Sequence, residues 1–211
     1  MKELLAFVFI LNIICISHSS SAQDTVRQYY SSGKLKATGI INENDLKEGQ
    51  WKFYYSDGEL NAIENYTNGQ LSGQVTVYYP GEKIKQIELW QEDYPVDSAL
   101  YFFENGELEK TGNYHQGLHA GKWLFYHDNG QLKRVGSYQQ GLPHGLWLFY
   151  YDNGTIHQQG YFTRGKEDGM WQFYRENGSL EYQGHYQMGI RIEPWYYFKK
   201  NGRKEEVELT D

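Results

Sequence analysis

Residues Trp123 to Tyr151 read WLFYHDNGQLKRVGSYQQGLPHGLWLFYY. This is an aromatic strand, an Asn-Gly turn, a more polar strand, a loop with glycine near each end, and the aromatic strand again. Short alternating segments bounded by turn residues mark β-strands rather than helix. Most of the chain varies this unit.

The period is 24 residues. Trp51, Trp123, Trp147, Trp171 and Trp195 share one lattice, whose two vacant points hold Val75 and Ala99. Gly106, Gly130, Gly154, Gly178 and Gly202 keep the same phase, and Gly112, Gly136, Gly160 and Gly184 form a second series. A third runs through Gly117, Gly141, Gly165 and Gly189, and a fourth through Gly121, Gly145 and Gly169. Phased glycines with a phased tryptophan identify a repeat array.

Each unit supplies two strands. The first is of the WLFYH type, the second of the QLKRVGSY type from Gln131. The Asn-Gly between them predicts a two-residue type I′ hairpin, which needs positive φ at both central positions. Counting back from Asn129-Gly130 pairs Asp128 with Gln131, His127 with Leu132, Phe125 with Arg134 and Trp123 with Gly136. The same count sets Trp147 opposite Gly160 and Trp171 opposite Gly184, so each indole is expected to cover the glycine across from it. Alternation puts Trp and Phe on one face and Tyr126, Tyr150 and Tyr174 on the other.

Residues 75–98 deviate. They lose the tryptophan, turn at Pro80-Gly81-Glu82, and carry the acidic loop Glu92 to Asp97. This reads as drift in a tolerant array, with a bend or a contact site as the alternative.

The unit NGxLKxxGxYxxGxxxGxWxFYY resembles the bacterial MORN-type repeat in its variant form, over about Tyr29 to Val207. Many bacterial chains with this repeat resemble the YwqK family, which carries an antitoxin label. The resemblance implies an all-β fold: an elongated single-layer antiparallel β-meander of 24-residue units, two strands each. About seven units at ~4.8 Å per strand would span roughly 70 Å before twist.

Composition fits. Of 211 residues 17% are aromatic, with 23 glycines and only 4 prolines. Leu4 to Ile16 is an apolar run of signal-peptide length, and Ser-Ser-Ala before Gln23 suits cleavage between Ala22 and Gln23. The domains expected are a signal peptide at 1–22 and the repeat domain at 23–211. The expected address is exported: periplasmic, outer-surface or extracellular. Cys15, the only cysteine, falls in the leader, so no disulfide or thiolate chemistry is expected. The net charge of -7 disfavours nucleic acid, and no later apolar run is long enough to span a bilayer.

Catalysis needs convergent groups in a sheltered site, and the sequence offers few. His115 and His119 are assigned to a strand end and a loop, and His127, where other units have Tyr151 or Arg175, reads as a tolerant exposed position. Asp57, Glu104, Asp128, Asp152 and Glu176 recur at the turn, where a carboxylate accepts from turn backbone. Asp93 and Asp97 lack the spacing of a calcium loop. No enzyme activity, metal or cofactor is expected.

The surface feature to weigh is the row Tyr54, Tyr78, Tyr126, Tyr150 and Tyr174. It reads as sheet-covering aromatics, or as a platform for an extended ligand. The function expected is a non-enzymatic scaffold that binds another protein. Alternatives are a glycan- or cell-wall-binding module using that row, and an immunity-like role taken from the family label.

Overall fold

The computed structural model describes Thr25–Val207. The leader at 1–22 and its cleavage point lie outside the described residues. The described residues form one open sheet of seventeen antiparallel strands and contain no helix. The strands are β1 (Thr25–Tyr29), β2 (Leu35–Ile41), β3 (Lys47–Tyr54), β4 (Leu60–Thr67), β5 (Gln70–Leu71), β6 (Gly73–Tyr78), β7 (Ile84–Gln91), β8 (Tyr94–Phe102) and β9 (Leu108–His115). The array continues through β10 (Leu118–Tyr126), β11 (Leu132–Gln139), β12 (Leu142–Tyr150), β13 (Ile156–Thr163), β14 (Lys166–Tyr174), β15 (Leu180–Gln187), β16 (Ile190–Phe198) and β17 (Lys204–Val207). Each strand pairs with its neighbours in sequence, and β5 with β6 pairs β4 as one interrupted strand. The single-layer meander expected from the repeat is the fold observed.

The register in the strand bodies is the one counted from sequence: Trp123 pairs with Gly136 and Phe125 with Arg134. The turn is different. Tyr126 pairs with Leu132, not Lys133, and His127 N–H donates to the Gln131 carbonyl at 2.8 Å. Gly130 N–H donates back to His127 O at 3.0 Å, and Gly130 alone among Asp128-Asn129-Gly130 has positive φ, at 81°. The loop therefore has three residues, a tight turn closed by a left-handed glycine. Asn129 stays out of the left-handed region because its Oδ1 accepts from Gln131 N–H at 2.9 Å, an Asx turn. Asn105, Asn153, Asn177, Asn201 and Asp57 do the same in their units. Turn backbone is thus held by this residue rather than by Asp128 or Asp152.

Two-residue type I′ turns occur at the other end of the strands, where the sequence suggested longer loops. Gln140-Gly141 both have positive φ, as do Gln116-Gly117, Arg164-Gly165, Met188-Gly189 and Asn68-Gly69. Strand structure resumes at once, so Leu142–Gly145 belongs to β12. Left-handed φ is uncommon for Gln, Arg and Met. The second turn residue offsets this: Gly141 N–H donates to His119 O of the preceding unit at 3.2 Å, and Gly165 and Gly189 donate likewise to Pro143 O and Glu167 O.

The core is a file of rings on one face. Trp51, Trp123, Trp147, Trp171 and Trp195 are all buried. Trp147, Phe149, Trp171, Phe173 and Trp195 follow one another with centroids 6.0–6.3 Å apart. Tyr138, Phe162 and Tyr186 stand edge-on to Trp147, Trp171 and Trp195, each at 5.2 Å. A thin sheet gains its burial here, since a fully buried large side chain contributes roughly 1.5–3 kcal/mol.

Each of the five phased indoles covers a glycine, but not a residue it pairs with. A Cβ on Gly136 would fall inside the Trp147 ring, one strand on, and Gly112, Gly160 and Gly184 lie likewise under Trp123, Trp171 and Trp195. The indole N–H fixes the geometry: Trp147 Nε1 donates to Ser137 O at 3.2 Å and Trp123 Nε1 to Asn113 O at 3.0 Å. The carbonyl used is always the one just after the covered glycine.

Candidate functional site

The row Tyr54, Tyr78, Tyr126, Tyr150 and Tyr174 lies half-buried on the face away from the tryptophans. Among the described residues none of the five rings pairs with another aromatic ring. Tyr174 instead joins a glutamine ladder, with its hydroxyl 3.0 Å from Gln159 Nε2 and 3.2 Å from Gln172 Oε1. The backbone carbonyls of these tyrosines carry a second pattern. Tyr30, Tyr55 and Tyr151 hydroxyls donate to the carbonyls of Tyr54, Tyr78 and Tyr174, at 2.6, 2.7 and 2.8 Å. Tyr79 does so to Phe102 O, Arg175 to Phe198 O, and the His127 ring to Tyr150 O at 3.2 Å. His127 is therefore a half-buried link between units, not a tolerant exposed position. Tyr, His and Arg interchange there because each brings one donor to the same place.

The deviant unit is internally consistent. Glu88 stands at the lattice point held by the covered glycine from Gly112 onward and by Glu64 one unit earlier, and Ala99, its direct partner, at the point held by tryptophan in the later units. Where the indole is absent, a carboxylate side chain takes the space. Glu88 is 6% exposed. It accepts from Trp90 Nε1 at 3.0 Å, from Gln86 Nε2 at 3.4 Å and from the Tyr101 hydroxyl. Tyr101 continues to the Tyr114 hydroxyl at 2.9 Å, and Tyr114 to His119 Nε2 at 3.2 Å. Burial pushes the Tyr101 and Tyr114 hydroxyls up and His119 down from their ordinary pKa values. His119 thus belongs to β10, packed 4.0 Å from the Trp123 ring, and not to a loop. The acidic stretch is structural as well: Asp93 Oδ1 accepts from Leu71 N–H at 2.8 Å, and Asp97 takes positive φ where other units have Gly121 or Gly145. Among the described residues no three His, Cys, Asp or Glu side chains gather as a metal site requires.

Several depressions mark the surface, the widest of about 510 Å³ beside Gln91, Glu92, Tyr94, Val96 and Gln116, but the one lined by large rings lies on the tryptophan face, where sequence reasoning placed no site. A groove of about 330 Å³ crosses β11–β15, floored by Trp147 and Trp171 and walled by Phe149, Phe162 and Tyr186. Its polar side chains are Arg134, Gln158 and Glu167, with the hydroxyl-bearing Tyr138 and Tyr186. The Arg134 guanidinium sits over Phe125, its central carbon 4.1 Å from the ring centroid. Its Nε is buried and meets no acceptor, which costs about 1–3 kcal/mol for a donor left unsatisfied. The sequence signal was faint: a single arginine at a position that holds lysine, glutamine or tyrosine in neighbouring units, Lys110, Gln158 and Tyr182. A second cavity of about 300 Å³ follows on the same face, lined by Phe173, Tyr182, Arg191, Trp195 and Val207.

Five segments match the family model described as MORN repeat variant: 47–68, 98–116, 121–140, 143–163 and 167–188. Residues 75–97 of the deviant unit fall between two of them. No curated protein matches the chain. Among solved structures, a chain of the TcdB2-TccC3-Cdc42 crystal structure matches at 11% identity and a TM-score of 0.18, over 86% of this chain and 14% of that one. A porin-like protein from Bacteroides uniformis matches at 11% identity and a TM-score of 0.21, over 90% and 91%. Neither likeness carries weight for function.

Proposed function

Because this chain is a MORN-repeat protein, a type of repeat that generally serves interaction with proteins or membranes, we propose that it is an exported, non-enzymatic scaffold whose sheet binds another protein. The observation that supports this reading is the groove on the tryptophan face. Large apolar rings and an unpaired guanidinium line it, which is the makeup of a binding surface and not of a reaction centre. The scaffold itself is stiffened by links between units, so a partner meets a preformed surface and little ordering entropy is lost on binding.

The test is an affinity pull-down with tagged 23–211 from the envelope fraction of the cells that make it, read by mass spectrometry. One protein partner in near-equal amount supports the reading. Retention on wall material without a protein partner, or turnover by the purified chain, overturns it.

A further inference from the structure

Resting on that protein-binding reading, we infer that the groove over β11–β15 takes an extended peptide segment of the partner, one that sets a carboxylate on Arg134 with apolar side chains on either side. Charge argues for the carboxylate. The chain carries a net charge of -7, yet Arg134 has no carboxylate within ion-pair distance among the described residues, whereas Arg175 and Arg203 face Glu181 and Glu205. Phe125 packs against the guanidinium, and a planar fork of donors is matched by a carboxylate.

The rest of the groove argues for a peptide. Glu167 lies on the same groove and repels a polyanion, so nucleic acid and uronic-acid polymers fit poorly. A neutral glycan needs open ring faces to stack on, but Trp147 and Trp171 are 2% and 3% exposed. What remains accessible are the walls formed by Phe149, Phe162 and Tyr186, which suit aliphatic or aromatic side chains, and Gln158, whose amide can meet peptide backbone.

A random displayed-peptide library panned on 23–211 tests this, followed by anisotropy titration of one enriched synthetic peptide. Enriched sequences are expected to carry Asp or Glu flanked by apolar residues. Arg134→Gln is expected to weaken the peptide by about tenfold or more, and Arg134→Lys by less. Tyr161→Ser, on the opposite face, is expected to leave affinity unchanged. Thermal unfolding of each variant separates lost binding from lost fold. Failure of the library to enrich, enrichment without an acidic residue, equal binding by Arg134→Gln, or equal loss with Tyr161→Ser overturns the inference. A captured partner that still binds Arg134→Gln would sink this inference while leaving the protein-binding reading intact.

Discussion

The indole of Trp147 fills the space above Gly136, the residue that Trp123 pairs with from the other side. Gly136 is thus held between two units: paired with one tryptophan and covered by the next. Gly136→Ala places a methyl inside a buried ring that cannot retreat. A loss of more than about 3 kcal/mol is expected, at or beyond the upper end of overpacking costs, read as a drop in the denaturant midpoint. Gly154→Ala, at a turn, should cost less, because only backbone strain opposes it.

The exchange of glycine and tryptophan for Glu88 and Ala99 can be run backwards. Ala99→Trp alone drives an indole into the Glu88 carboxylate. Glu88→Gly alone removes an acceptor from Trp90 and Tyr101 and opens a cavity. Together they restore the pair used in other units. A double-mutant cycle should show favourable coupling of about 1–3 kcal/mol. Strictly additive losses would show that the two positions do not share one space.

One rung is missing from the links between units. Phe103 stands on the lattice of Tyr79, His127 and Tyr151 but has no donor for the Tyr126 carbonyl. Phe103→Tyr should supply it and stabilise the chain by about 0.5–1.5 kcal/mol. Tyr151→Phe should cost a similar amount. Both are measured by chemical unfolding.

The type I′ turns at Gln140 and Met188 hold left-handed backbone without Asn or Gly at the first position. Gln140→Asn and Met188→Asn should each stabilise by roughly 0.5–1 kcal/mol. Asn129→Gly at the three-residue turn should instead destabilise, because Asn129 Oδ1 is the acceptor for Gln131 N–H.

Stability should fall on the acid side of neutrality. Burial, with Lys110 nearby, holds the His119 pKa below its ordinary 6.5. In the unfolded chain His119 takes up its proton near 6.5, while in the folded chain it stays neutral to lower pH. The unfolded state therefore binds more protons across that interval, so stability is full above about pH 6.5 and is lost as pH falls toward the folded value. His119→Gln should flatten that part of the stability profile, measured by denaturant midpoints between about pH 7.5 and 5. An unchanged slope would show that His119 is freely solvated.

The sequence by itself determined the strand pair of each Asn-Gly hairpin, its register away from the turn, and which face holds Trp and Phe. These follow from alternation and from turn residues, which act within one hairpin, and the 24-residue lattice repeats them until no other reading fits. The tertiary structure alone decided which glycine each indole covers, which turn is two residues and which three, that His119 and His127 are structural, and that Arg134 faces a groove without a partner. The reason is common to all of these. Each is set by contact with the neighbouring unit: a ring over the next strand's backbone, a turn N–H reaching the preceding repeat, a carboxylate taking the place of a missing indole. Such contacts pair residues that the pattern within one hairpin does not link.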